Sequence, residues 1–152
     1  MSFSFEPVAD DDFEPMLALR IAALRESLER LGRFDPARAR ERLQAGFAPE
    51  YMRHIVADGE RIGFLTLRPA AEGTLRIEHL YIRPGSQGQG AGAWALEQAK
   101  AQARAAGQDL TLAALKQSDA NRFYRRHGFA VVEEQEFDIE YRWSPKAVEA
   151  LA

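Results

Sequence analysis

The first stretch of this sequence to offer chemistry runs from Gln87 to Ala93, Gln-Gly-Gln-Gly-Ala-Gly-Ala. Glycines at 88, 90 and 92 leave backbone N–H groups unshielded where an Ala-rich helix is about to begin. A helix start presents unpaired N–H groups and the positive end of the helix dipole, a combination that binds phosphate or pyrophosphate. A nucleotide-hydrolysing loop also needs Lys and Ser/Thr, and neither stands in the required place. The phosphate is therefore expected on a carrier molecule. A plain turn would not require three spaced glycines.

Other reactive constellations are scarce. The sequence has no cysteine, which excludes thiol catalysis, disulfides and cysteine-based metal sites. His54, His79 and His127 are dispersed without metal-ligand spacing, so no metal is expected. A net charge of −3 gives no reason to expect nucleic acid or an anionic membrane as partner. No apolar run is long enough to span a bilayer, and Met1-Ser-Phe-Ser-Phe lacks a signal-peptide pattern; the expectation is a cytoplasmic protein without a membrane partner. At 152 residues the chain suits a single domain, 1–152, with one substantial core.

The elements that must position the loop are legible as periodicities. Phe3 to Val8 reads as a strand. Asp10-Asp11-Asp12 offers helix caps, and Leu17, Ile21, Leu24, Leu28 and Leu31 make a helical stripe closed by Gly32. Asp35-Pro36 marks a second helix start, running polar to about Gly46. Tyr51 to Ala57, Arg61 to Arg68 and Thr74 to Arg83 read as a three-strand meander, with Asp58-Gly59 as its first tight turn. A helix from about Gly90 to Ala106 follows, then a strand from Leu110 to Leu115 and a short helix across Ala120 to His127. Phe129 to Glu134 and Phe137 to Trp143 read as a closing antiparallel pair. This order predicts an α/β fold, a central mixed sheet flanked by helices.

Read together, these segments resemble the GNAT superfamily of N-acetyltransferases. The family's acyl-CoA signature, Gln/Arg-x-x-Gly-x-Gly/Ala, is matched in full by Gln87-Gly88-Gln89-Gly90-Ala91-Gly92. Glu78-His79-Leu80-Tyr81-Ile82 resembles its central strand, and Asn121-Arg122-Phe123-Tyr124 with Gly128-Phe129 resembles its Phe-Tyr…Gly-Phe ending. There is one departure: many members carry Asn a few residues before the Phe-Tyr pair, where this chain has Gln117-Ser118-Asp119. Ser118 takes that Asn's place with a shorter reach.

The resemblance implies a set of roles. Acetyl-CoA is the expected acyl donor, its pyrophosphate wrapped by Gln87, Gly88, Gln89, Gly90, Ala91, Gly92 and Ala93. Leu80, Tyr81 and Ile82 would flank it where two strands splay apart, and Ser118 would cap the following helix or reach the pantetheine arm. Backbone groups freed by the splay need partners, and the pantetheine amides supply them. Glu78 is the candidate base for the amine's proton, and its alternative is an ion pair with Arg76 or a neighbouring strand's arginine. Tyr124 is the candidate acid for the departing thiolate, and a core aromatic otherwise. His79 shares a face with Leu75 and Ile77, which favours a hydrogen-bonded core residue. Arg122, Arg125, Arg126 and Lys116 form a basic cluster near the Phe-Tyr helix.

In this fold the first two helices wall the acceptor groove, which points to Leu24, Leu28, Phe34, Phe47 and Tyr51, with Glu26 or Glu29 to attract an amine. The implied activity is acetyl transfer to a primary amine of a small molecule or peptide by direct attack in a ternary complex, in a monomer or homodimer. A non-catalytic acyl-CoA sensor on the same fold is the alternative. A dinucleotide-binding module also fits Gly88-x-Gly90-x-x-Ala93 formally. It would require repeated strand–helix–strand units where a meander stands.

Overall fold

A computed structural model describes residues 1–145 of the chain. Seven strands form a mixed sheet: β1 (Phe3–Pro7), β2 (Met52–Ala57), β3 (Glu60–Ala70), β4 (Thr74–Ile82), β5 (Leu110–Leu115), β6 (Ala130–Glu134) and β7 (Asp138–Trp143). Their order is β1-β2-β3-β4-β5-β7-β6. Four helices flank them: α1 (Phe13–Arg30), α2 (Pro36–Gly46), α3 (Ala91–Ala106) and α4 (Ala120–Arg126). The expected α/β class and mixed sheet are present, with element ends within a few residues of those read from the sequence. No helix among the described residues is long and apolar enough to cross a membrane.

Three of the helices stop for one physical reason. Gly32, Gly107 and Gly128 adopt φ of +68°, +64° and +88°, the left-handed conformation that costs glycine nothing. Each closes two backbone bonds over the last turn, as Arg33 N to Leu28 O (2.7 Å) and Gly32 N to Glu29 O (2.9 Å) do for α1. At its start, α2 has Pro36 in the first turn and Asp35 accepting from Ala37 N at 3.0 Å. The Asp10–Asp12 triplet departs from the capping expectation. It forms a 3-10 turn of its own, and no side chain caps α1. Asp12 instead accepts from Ala9 N (2.9 Å) and from the buried His54 ring (2.9 Å), because its carboxylate points back toward β2.

The described chain forms two compact units, Met1–Leu67 with Glu78–Leu96, and Arg68–Ile77 with the chain from Glu97 on. The first has an apolar core of Met16, Leu17, Ala39, Leu43, Met52 and Phe64. Each of the larger side chains, Ala39 excepted, contributes about 2 kcal/mol. In the same unit, Trp94 of α3 packs on Phe5 of β1 at 4.6 Å between ring centroids. The second unit buries Leu110, Leu112, Tyr141 and Trp143 from its strands, with Ala99 and Ala103 of α3. Lys100 is also buried there. Its ammonium donates to His127 O at the end of α4 and lies 5.3 Å from the Trp143 ring.

Candidate active site

In the first unit, the glycine loop is held by side chains before any ligand arrives. Arg83 donates through Nε to Ser86 Oγ (2.7 Å) and through Nη2 to Glu60 (2.8 Å), fixing the turn that follows β4. Gln87 folds back to Ile82 O at 3.0 Å. Gly88 and Gly90 then take φ of +78° and +90°, and a Cβ built on either would meet nothing within 4 Å. The glycines are needed for conformation, and the space over them is open. Gly90 O accepts from Trp94 N (2.9 Å) to begin α3. The N–H groups of Gly90, Ala91 and Gly92 find no protein acceptor among the described residues. Three successive unpaired donors at a helix start can receive an anion.

The strand that feeds this loop is shaped by its neighbours. On β3, Gly63 approaches β4 so closely that a Cβ there would fall 2.2 Å from Tyr81 O. The β2–β3 ladder bulges beside Gly63, and Ile62 O accepts from Arg83 N at 2.8 Å. On its other side, the parallel ladder of β4 with β5 covers only Leu75↔Leu110 and Arg76↔Thr111. Leu80, Tyr81 and Ile82 form the C-terminal end of β4.

Glu78 and His79 divide as strand alternation requires. Glu78 is exposed, and His79 is buried with Nδ1 2.8 Å from Thr66 Oγ1 and its ring edge-on to Phe64. His79 is thus the hydrogen-bonded core residue that its apolar face suggested. The last residue of α2, Gly46, lies against both: a Cβ there would stand 3.1 Å from Glu78 Oε1 and 3.3 Å from His79 Cε1. A side chain at 46 would push on the carboxylate.

In the second unit, Arg76 gives both ends of its guanidinium to Glu140 of β7, at 2.7 and 3.0 Å. Tyr124 is buried on α4, its ring edge-on to Phe123 and Phe129 and 6.1 Å from Tyr141. Asn121, to which the sequence assigned no role, fastens this helix. It donates to Leu115 O (2.8 Å) and Ser118 O (3.1 Å) and accepts from Tyr141 O–H (2.7 Å). An amide one turn ahead of Tyr124 was the available signal. Ser118 differs from its capping expectation: its hydroxyl donates to Leu115 O (2.7 Å), and Asp119 is the first residue of the helix cap, without a side-chain bond. Gln117 just before it holds φ +64°. The basic cluster is partly engaged. Lys116 lies 3.3 Å from Glu134, and Arg125 donates to Asn121 O at 3.3 Å.

Among the groove candidates, Leu24, Leu28, Phe34 and Phe47 are half-buried and Tyr51 is exposed. Glu26 and Glu29 are spent on their own helix, 3.1 Å from Arg30 and 2.8 Å from Arg25. Both pairs are exposed i,i+4 contacts, which leaves little field to attract an amine.

This geometry has counterparts. No curated protein matches the chain, but solved structures do. PaiA N-acetyltransferase from Thermoplasma acidophilum, in complex with coenzyme A, is 17% identical with a TM-score of 0.76, over 95% of this chain and 99% of its own. YjaB from Escherichia coli, in its apo form, is 19% identical with a TM-score of 0.75, over 94% and 98%. An acetyltransferase from Thermus thermophilus is 20% identical with a TM-score of 0.72, over 95% and 97%. These likenesses show the fold. The family profile described as an acetyltransferase (GNAT) domain matches residues 50–131, more than half of the sequence and all of the stretch from β2 to α4, so the chain belongs to the GNAT acetyltransferase family.

Proposed function

We propose that this chain transfers an acetyl group from acetyl-CoA to a primary amine of a small molecule or peptide, by direct attack of the amine in a ternary complex. The observation that carries the reading is the cradle at the start of α3, where three successive N–H groups stand unengaged beside two left-handed glycines. Its open space and its donors fit a pyrophosphate. Bound there, acetyl-CoA supplies an acetyl group already activated as a thioester.

The residues of the chain divide the remaining work. Gln87 to Ala93 hold the pyrophosphate through the backbone. Leu80, Tyr81 and Ile82 offer N–H and C=O groups to the pantetheine amides, and one N–H of this stretch polarises the thioester carbonyl. Ser118 is assigned to the same arm as an acceptor only, because its hydroxyl proton goes to Leu115 O. Glu78, exposed on β4, takes the proton that an arriving ammonium must lose, directly or through a water. Tyr124 donates its hydroxyl proton to the thiolate as it leaves. Holding both reactants in place supplies much of the acceleration.

Steady-state rates across an amine panel test the roles. Tyr124→Phe should lower kcat by about tenfold or more. Glu78→Gln should be most damaging near neutral pH and recover in part as rising pH deprotonates the amine itself. An unchanged kcat for the first, or a loss equal at every pH for the second, would remove that residue from the chemistry. Tight binding of acetyl-CoA with no turnover of any amine would support a non-catalytic sensor instead.

A further inference from the structure

The charge most out of place in the first unit is Arg20. It stands on the buried face of α1, one turn beyond Met16 and Leu17, with 8% of its surface exposed. Its guanidinium carries a positive charge. Buried charges are ordinarily matched by a carboxylate, and Arg20 meets none among the described residues. Nη1 reaches Ala39 O at 3.5 Å, the outer limit of a hydrogen bond. Nε is fully buried with no acceptor among the described residues. The edge of the guanidinium formed by Nε and Nη2 is thus unengaged, and that edge matches the two oxygens of a carboxylate.

Its surroundings suit a ligand. Leu24 and Leu28 continue the same helical face and are only half-buried, so the face opens just beyond Arg20. The guanidinium carbon lies 5.8 Å from the centre of the Tyr81 ring, on the strand assigned above to the thioester. Residues 20 to 42 carry seven arginines against four acidic residues, in a chain of net charge −3. Three nearby acids are taken: Glu29 by Arg25, Glu26 by Arg30 and Glu14 by Arg40. The net positive charge of this segment disfavours a cationic acceptor such as a polyamine.

We infer that the acceptor is an amine bearing a carboxylate close to its nitrogen, of the α-amino-acid class, and that Arg20 receives the carboxylate. The inference rests on the acetyl-transfer reading and names its substrate class. In an α-amino acid one carbon separates the two groups, so a carboxylate on Arg20 keeps the amine near β4.

The test compares free amino acids with their amides, which keep the amine and lose the negative charge. Wild-type kcat/KM should favour the free acid by at least about tenfold, as expected for losing a hydrogen bond to a charged group. Arg20→Met and Arg20→Lys should shrink that ratio, mainly through KM, with the lysine keeping part of it. The wild-type ratio needs no variant and stands even if both fail to fold. Equal use of acid and amide, or preference for the amide or a polyamine, would overturn the inference while acetyl transfer stood. If neither is turned over, both are titrated into protein saturated with acetyl-CoA. Selective binding of the acid supports the inference, and its absence overturns it. A protein that does not bind acetyl-CoA at all would overturn the parent reading, and the inference with it.

Discussion

Cutting the side chain of Asn121 back to Ala gives a prediction that can be worked through in energies. Leu115 O would keep its bond from Ser118 Oγ at 2.7 Å, and Ser118 O its bond from Asn121 N at 3.3 Å. The loss therefore falls on the Tyr141 hydroxyl, on a residue with no exposed surface, which would be left without its 2.7 Å acceptor. A buried polar group stripped of its partner costs about 1–3 kcal/mol, and the packing lost with the amide adds to this. Asn121→Ala should destabilise by about 2–3 kcal/mol on that basis.

Tyr141→Phe should cost less, about 1–2 kcal/mol, because it strands only the Asn121 carbonyl oxygen while the amide keeps its donor bonds and no packing is lost. The two changes damage one interaction. In the Asn121→Ala background, Tyr141→Phe should therefore be nearly neutral or stabilising. The double-mutant cycle, measured by urea unfolding at pH 7, should return a coupling of about 1 kcal/mol or more. Additivity within about 0.5 kcal/mol would refute the proposed dependence of the hydroxyl on the amide. Because the same amide fastens α4, Asn121→Ala should also lower kcat, through displacement of Tyr124.

Two further outcomes follow from local geometry. Gly63→Ala would place a Cβ 2.2 Å from Tyr81 O and 2.8 Å from Ile82 Cδ1, so β4 must shift; unfolding should show a loss of about 1–3 kcal/mol, with weaker acetyl-CoA binding, and a neutral effect would contradict the close approach. The Asp12 carboxyl is held down to about 2 from 3.8 by the Ala9 N–H first, then by His54 and Arg61. Since its folded pKa is depressed, its contribution of about 2 kcal/mol is present above pH 4 and lost as pH falls toward 2. The stability gap between wild type and Asp12→Asn should therefore close in acid; a gap constant from pH 6 to pH 2 would rule out the ion-pair account.

What the sequence made legible was local. Helix ends announced themselves because Gly32, Gly107 and Gly128 are needed for left-handed turns. Alternation along β4 separated buried His79 from exposed Glu78. The loop at Gly88 and Gly90 is legible because its left-handed conformation depends on glycine. Long-range facts were not. Nothing in the spacing says that Arg76 joins Glu140, 64 residues away. Asp12 looked like a cap because aspartate favours that position, but a buried histidine from β2 competes for the same carboxylate and wins. Arg20 lay on an apolar stripe between Leu17 and Leu24, and an arginine there reads equally as a surface charge until its burial is seen.

Calorimetric titration of the purified protein with acetyl-CoA, beside NADH and ATP and repeated on Gly90→Val, tests the central claim most directly. The valine would have to adopt a φ of +90° in the middle of the cradle, which a β-branched residue does not tolerate. The account predicts selective, micromolar-range binding of acetyl-CoA by the wild type, lost in the variant while its fold survives by circular dichroism. Binding of NADH in preference, or unchanged acetyl-CoA affinity in a folded Gly90→Val protein, would contradict it.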